Sequence, residues 1–322
     1  MPGQGGLTEN SKNVTLSEKP QLSVIIPSFN SRRTIEACLE SLKNQATDKT
    51  FEIIVVDSSK DAYIEIVVKK FPRVRLYRCS ERKFPGDALN FGISKAKSEI
   101  LAFIGADCIA DQNWVGETLK AHQSEYPVIG DAVDNGNPES YVGWGHYFCE
   151  FSQWMPRSPK CQMDDACCLS LKRWAFDRYG PFLEGTYCSD TVFNWRLAKD
   201  GYKPLFIPSI KISHINIDSL KAYLKHEIIH GRSFAKVRTM EQHFSMLQRI
   251  VFILISPLLP LLLFYRVARR VFKNRLYLKQ FIFSLPVVFL GLSLWSWGEF
   301  LGYLSKSKKR IGGTEEHGGV GR

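Results

Sequence analysis

EIIVVDSS, residues 52–59, runs through four apolar side chains straight into a carboxylate and two hydroxyls. A short apolar run without alternation reads as a strand buried on both faces, the kind that parallel sheets contain. An acid at the carboxyl end of such a strand stands where open α/β sheets bind their ligands. The pattern recurs twice: EILAFIGA (99–106) leads into Asp107, and PLFIPSIKIS (204–213) leads into His214. The chain therefore places two carboxylates and an imidazole at successive strand ends.

Working outward, Leu22–Ile26 is a strand closed by Pro27, and Asn30 or Ser31 is the N-cap of a helix with Ile35, Cys38, Leu39 and Leu42 on one face. Residues 64–70 and 88–96 have helical spacing, and 74–77 and 99–104 read as strands. Strands alternating with helices predict βαβ units and a mostly parallel central sheet. Residues 127–180, rich in Gly, Pro, Trp and Tyr, show few periods and are expected to form an irregular segment shaping a substrate cleft. Beyond it Asp190 is expected to cap a helix carrying Phe193, Arg196 and Leu197 that stops at Gly201, and 205–212 is the last strand.

The 322 residues are 44% hydrophobic, enough for one large α/β domain and an appendage. The apolar residues are unevenly spread, with two blocks at about 250–265 and 281–297 near the lower length limit for crossing a bilayer. Pro257, Pro260 and Pro286 interrupt them. Much of the net charge of +11 lies beside these blocks, in Arg266, Arg269, Arg270, Lys273, Arg275 and Lys279, with Lys306, Lys308, Lys309 and Arg310 following. Cations so placed favour an anionic cytoplasmic leaflet. A simple two-span hairpin would put the basic connector outside, against the positive-inside tendency, so at least one block is expected to lie in the membrane plane or re-enter. Residues 218–238 carry an apolar face beside many cations and read either as an interfacial helix or as one packed on the domain. No helix-turn-helix, zinc-finger or RNP pattern supports nucleic-acid binding. Eight cysteines without a C-x-x-C pair are expected to be reduced thiols of a cytosolic domain.

Four segments in order, SVIIPSFNSRRTIEACLESLKNQ (23–45), EIIVVDSSKD (52–61), ALNFGISKAKSEILAFIGADCIADQNW (88–114) and GTYCSDTVFNWRLAKDGY (185–202), resemble the inverting glycosyltransferases of family 2. The likeness spans about Gln21–Arg238 and implies the GT-A fold, a Rossmann-like α/β architecture, followed here by hydrophobic membrane-associated helices. It implies a nucleotide-sugar donor gripped by Pro27, Ser28, Phe29, Asn30 and Asp57, with Asn90 and Asp107 in the donor pocket. It further implies Mg²⁺ or Mn²⁺ held by Asp107 and His214, and Asp190 as the general base. Two positions depart from the pattern: Gly105 replaces the first acid of the usual Asp-x-Asp, and Ser189 replaces a common glutamate.

The residues read on their own support compatible chemistry. A strand-end Asp107 suits a hard cation neutralising a diphosphate. Asp57 can accept from a base N–H or a ribose hydroxyl, or cap its own turn. Arg82 and Lys83 suit phosphate oxygens or simple solvation. Trp144, Tyr147, Phe148 and Trp154 suit sugar stacking, a lipid acceptor or core packing. The expected organisation is a disordered tail at 1–20, a catalytic domain at 21–240, membrane-associated helices at 241–305 and a disordered basic tail at 306–322. The tail 1–20 has no apolar stretch of signal-peptide type. The expected location is the cell membrane, with the catalytic domain facing the cytoplasm and a lipid-linked or membrane-proximal acceptor. A membrane-tethered binding protein whose chemistry was lost at Gly105 is the alternative. A nucleotidyltransferase would want a Gly-rich phosphate loop, and a processive synthase a Gln-x-x-Arg-Trp pattern; neither is present.

Overall fold

The structure, a computed structural model, describes residues 19–305, so the tails expected at either end lie almost wholly outside the described residues. The elements run β1 (Leu22–Ser28), α1 (Ile35–Lys43), β2 (Phe51–Asp57), α2 (Tyr63–Val68), β3 (Val74–Arg78), α3 (Pro85–Lys95), β4 (Ile100–Phe103), β5 (Cys108–Ala110) and α4 (Trp114–Ala121). They continue as β6 (Val128–Asn135), α5 (Tyr141–Phe151), β7 (Cys161–Gln162), β8 (Leu169–Lys172), α6 (Arg173–Tyr179), α7 (Ser189–Lys199) and β9 (Leu205–His214). The carboxyl-terminal part is helical: α8 (Leu220–Glu241), α9 (Met246–Ile255), α10 (Leu259–Asn274) and α11 (Leu278–Leu304).

The strands form one sheet in the order β3-β2-β1-β4-β8-β6-β9-β5, with β7 added to β9. The first four strands pair in parallel, as the βαβ reading requires. From β8 onward the sheet is mixed, because β8 runs antiparallel to both β4 and β6 while β6 and β9 are parallel. In β1, Val24 and Ile26 face one core while Ile25 faces the other. Both faces are covered, and that explains the unbroken apolar runs; each fully buried Val or Ile contributes roughly 1.5–3 kcal/mol.

The segment 127–180 is not irregular. It supplies β6, α5, β8 and α6, and its glycines and aromatics hid these elements because they serve packing. Trp144, Tyr147 and Phe148 fill a third core with Val267, Phe281 and Val288 of the final helices, and Trp154 is buried beneath the sheet. Packing is thus the fate of all four aromatics. The hydroxyl of Tyr147 also donates to Val133 O at 3.0 Å, fixing α5 on β6.

Among the described residues, two helices have the length and apolarity to cross a membrane, Met246–Asn274, which combines α9 and α10, and Leu278–Leu304. They differ in environment. Helix α11 lies along α8 in backbone contact: a Cβ on Gly231 would strike Trp295 O, and one on Gly298 would strike Ile228 O. Such close approach is what small residues permit. Within the segment 218–238, this face of α8 is thus packed against α11. Arg249 donates from Nη2 to Tyr303 O at 2.7 Å and Ser305 O at 2.6 Å, closing the carboxyl end of α11. By contrast Leu247, Leu254, Leu258 and Leu261 of the α9–α10 stretch are exposed.

Candidate functional site

Strand register builds the site. Ser28 pairs with Asp57, so the ends of β1 and β2 meet, and Cys108 pairs with His214, so Asp107 arrives beside the imidazole. Between them lies a cleft of about 570 Å³ whose walls include Pro27, Ser28, Phe29, Asn30, Gly105 and Asp107. A larger groove of about 1110 Å³ opens at the opposite strand ends around Leu42, Phe51 and Arg73. It is lined by none of the residues singled out at the strand ends, whereas Pro27, Ser28, Phe29, Asn30 and Asp107 all line the smaller cleft, which is therefore the candidate site.

Asp57 is fully buried and its oxygens are engaged. Oδ1 accepts from Ser28 Oγ at 2.7 Å and Ser59 Oγ at 2.8 Å, Oδ2 accepts from Ser59 N at 3.1 Å, and Arg78 Nε stands 3.3 Å away. It knits the loops beneath the cleft and does not itself line it. Asn30 holds a left-handed backbone (φ 53°) with its amide donating to Ser59 Oγ at 2.7 Å, a strain that asparagine tolerates better than most residues. The side chain of Phe29 is thereby turned outward, with Arg82 4.5 Å over its ring centre and 4.9 Å over that of Phe84. Arg82 Nη2 donates to Tyr187 Oη at 2.7 Å, so its guanidinium is fixed at the cleft wall.

Asn90 does not reach the cleft. Its Nδ2 donates to Phe182 O at 2.9 Å and its Oδ1 accepts from Phe182 N at 2.9 Å, so it anchors the loop that precedes Asp190.

Asp107 is half exposed, with Oδ2 3.6 Å from His214 Nε2. The other nitrogen of that ring, Nδ1, lies 3.1 Å from Asn216 Oδ1. The Asn216 amide cannot be reversed, because its Nδ2 donates to Asn135 Oδ1 at 2.8 Å and to His214 O at 3.0 Å. Oδ1 therefore accepts and His214 Nδ1 carries a proton, which leaves Nε2 as the ring nitrogen that faces Asp107. A carboxylate beside an imidazole nitrogen, with open space on the cleft side, is a donor set that fits a divalent cation. Gly105, where an acid is usual, leaves room into which Asp107 folds back: a Cβ there would stand 2.5 Å from Asp107 Oδ1.

Asp190 sits in the first turn of α7, but the N-cap is Cys188, so the expected capping role is corrected. Burial, and then the charge of Asp165, raise its carboxyl to about 7, against the milder pull of its own helix amides. Asp165 is itself raised by burial although Asn194 Nδ2 donates to it at 2.6 Å. Sequence reading overlooked Asp165, in the paired acids of the QMDDA stretch, and overlooked Asn216, two residues past His214 in the HIN stretch. The eight cysteines are all free thiols, in agreement with their spacing.

A mixed sheet of this order, with Asp107 and His214 meeting at the strand ends beside a cleft, is an α/β arrangement of the GT-A transferase type. The Glycosyl transferase family 2 profile matches residues 23–180, and the chain belongs to that family. A relative from Methanococcus voltae, a dolichyl N-acetyl-α-D-glucosaminyl phosphate 3-β-D-2,3-diacetamido-2,3-dideoxy-β-D-glucuronosyltransferase, is 25% identical over 65% of this chain and 71% of its own length. Glycosyltransferase AglE of Haloferax volcanii is 30% identical over 38% of this chain and 41% of its own, so that likeness spans less than half of either. Among solved structures, the mannosyltransferase PcManGT from Pyrobaculum calidifontis, in complex with GDP-Man and Mn²⁺, shares the fold with a TM-score of 0.55. It is 18% identical, over 85% of this chain and 74% of that one.

Proposed function

We propose that the chain transfers a single sugar, with inversion, from a nucleotide-sugar donor to a lipid-linked acceptor at a membrane surface, with Asp190 as the general base. The observation that carries this reading is the raised carboxyl of Asp190, at about 7. A base of that strength is half charged at neutral pH and strong enough to take a hydroxyl proton in the transition state. The acceptor O–H gives its proton to Asp190 as its oxygen attacks C1. The C1–O bond to the diphosphate breaks, and its electron pair leaves with the phosphate oxygen. The loops around Pro27–Asn30 and Asp57 hold the nucleoside, and Arg82, braced by Phe29, Phe84 and Tyr187, faces the diphosphate. Asp107 and His214 would hold Mg²⁺ or Mn²⁺, which when bound supplies charge neutralisation for the leaving diphosphate.

The membrane part of the reading rests on two features. The α9–α10 stretch exposes a row of leucines at its start, and Arg266, Arg269, Arg270 and Lys273 occupy the end of α10, so a full crossing would bury four cations. In this reading α9–α10 lies in the membrane plane or re-enters, with the cleft on the cytoplasmic side, and the cations of α10, suited to anionic lipid, support that placement. The lipid carrier named for the Methanococcus relative supports a lipid-linked acceptor here.

The test is a panel of nucleotide sugars screened by thermal shift with Mn²⁺, followed by NMR of the product made from the donor that stabilises most. Inversion at C1 is expected. Retention of the donor's anomeric configuration would overturn the direct-displacement reading.

A further inference from the structure

A second group of ligating side chains stands behind the catalytic cleft, between α5 and α8. His146 and Glu150 lie four residues apart on one face of α5, and His226 and Glu227 project from the facing side of α8. Donor atoms of these four residues all lie within 4.8 Å of one another. Three features say that the cluster is incomplete as protein alone. Glu227 is 1% exposed, and neither of its carboxylate oxygens has a hydrogen-bond partner. His146 is 3% exposed, and its Nε2 has no partner either. That nitrogen carries a lone pair and not a proton, because His146 Nδ1 lies 3.1 Å from the same Asn216 Oδ1 that orients His214. The Ile217 amide also approaches Nδ1, at 3.4 Å, and the shorter Asn216 contact is the one taken to set the tautomer.

A buried carboxyl without a donor and a buried imidazole lone pair without a proton each carry a desolvation cost of roughly 1–3 kcal/mol, and one cation between them relieves both. His230 completes the arrangement from outside: its Nδ1 stands 3.0 Å from Glu150 Oε1, as an outer partner that aims the carboxylate inward.

We propose that His146, Glu150, His226 and Glu227 form a second divalent-cation site, of the two-nitrogen, two-carboxylate kind that suits Zn²⁺, clamping α5 to α8. Its charge balances, two carboxylates against one dication, with neutral imidazoles. One amide, Asn216, sets the tautomer of a histidine in each site, and the His146 and His214 rings are 5.9 Å apart, so the two cation positions are neighbours. Through α8 the clamp also reaches α11, which ties the catalytic domain to the apolar helices. The inference does not depend on the transfer chemistry.

The test uses the full chain in detergent, stripped with a chelator and reloaded with Zn²⁺ or Co²⁺, with bound metal counted by atomic emission after gel filtration. Wild type should retain two equivalents and Asp107→Asn one. Adding His226→Gln to Asp107→Asn should weaken that remaining ion by at least about 100-fold, beyond what an outer partner alone commands. Co²⁺ in Asp107→Asn should give visible ligand-field bands without thiolate charge-transfer absorption. Glu227→Gln, which keeps the volume, should weaken the ion equally while unfolding in chelator no earlier than wild type. Thiolate bands, retention of the ion in both the His226→Gln and Glu227→Gln backgrounds, or no ion at all in Asp107→Asn would each overturn the proposal.

Discussion

Replacing Asp190 by Asn separates catalysis from folding in a single variant. The carboxyl ordinarily titrates at 3.8 and is raised to about 7 in the fold. Three pK units correspond to about 4 kcal/mol by which the folded surroundings disfavour its charge, an upper bound shared with Asp165. The sign follows from proton binding. Between the two values the folded state holds a proton that the unfolded chain has released, so stability falls as pH rises from about 4 to about 7 and then levels off. Asparagine carries no charge and escapes this loss. The variant should therefore unfold several degrees higher than wild type at pH 8, with the gap shrinking at pH 5. Turnover, followed by release of nucleoside diphosphate, should fall 10²- to 10⁴-fold, as removal of a general base commonly does. For wild type, kcat/KM should climb with pH through about 7 and reach a plateau. Turnover within tenfold of wild type would remove Asp190 from the reaction. A lower unfolding temperature at pH 8 would mean that its charge supports the first turn of α7, and the argument from burial would fail.

Gly105→Ala should displace the Asp107 carboxylate, which occupies the space a Cβ needs, and weaken Mn²⁺-dependent donor binding severalfold in calorimetry, with little change in unfolding temperature. Asn216→Ala should free both His214 and His146 and cost about 10- to 100-fold in metal affinity, the range typical of an outer partner. Gly298→Leu should force α11 off Ile228 O and destabilise the protein by at least about 1–3 kcal/mol, read as a lowered unfolding temperature in detergent. Vesicles containing anionic phosphatidylglycerol should bind the protein more tightly than neutral ones, and neutralising Arg266, Arg269, Arg270 and Lys273 together should erase the difference in a flotation assay.

Asp57, Asp107 and His214 were legible because a strand end is a local event: an apolar run stops and a polar group follows, and the parallel half of the sheet has a period the sequence displays. Asp190 was singled out through the resemblance, but the raising of its carboxyl was not legible, since the charge that helps raise it belongs to Asp165, twenty-five residues away. Asn90 shows the converse, a residue well placed in sequence whose amide is consumed by the loop at Phe182. The segment 127–180 was misread because α5 is buried on nearly every side, so no polar face marks its period.

By itself the chain's order of apolar runs and polar stops determined the α/β class, the acids at strand ends and the presence of apolar helices near the carboxyl end, all written in neighbouring residues. Only the folded arrangement decided that β8 reverses the sheet, that Asn216 orients two histidines, and that α11 rests against α8 through its glycines. These depend on groups brought together from distant positions, and register and packing, which no local pattern encodes, choose which of them meet.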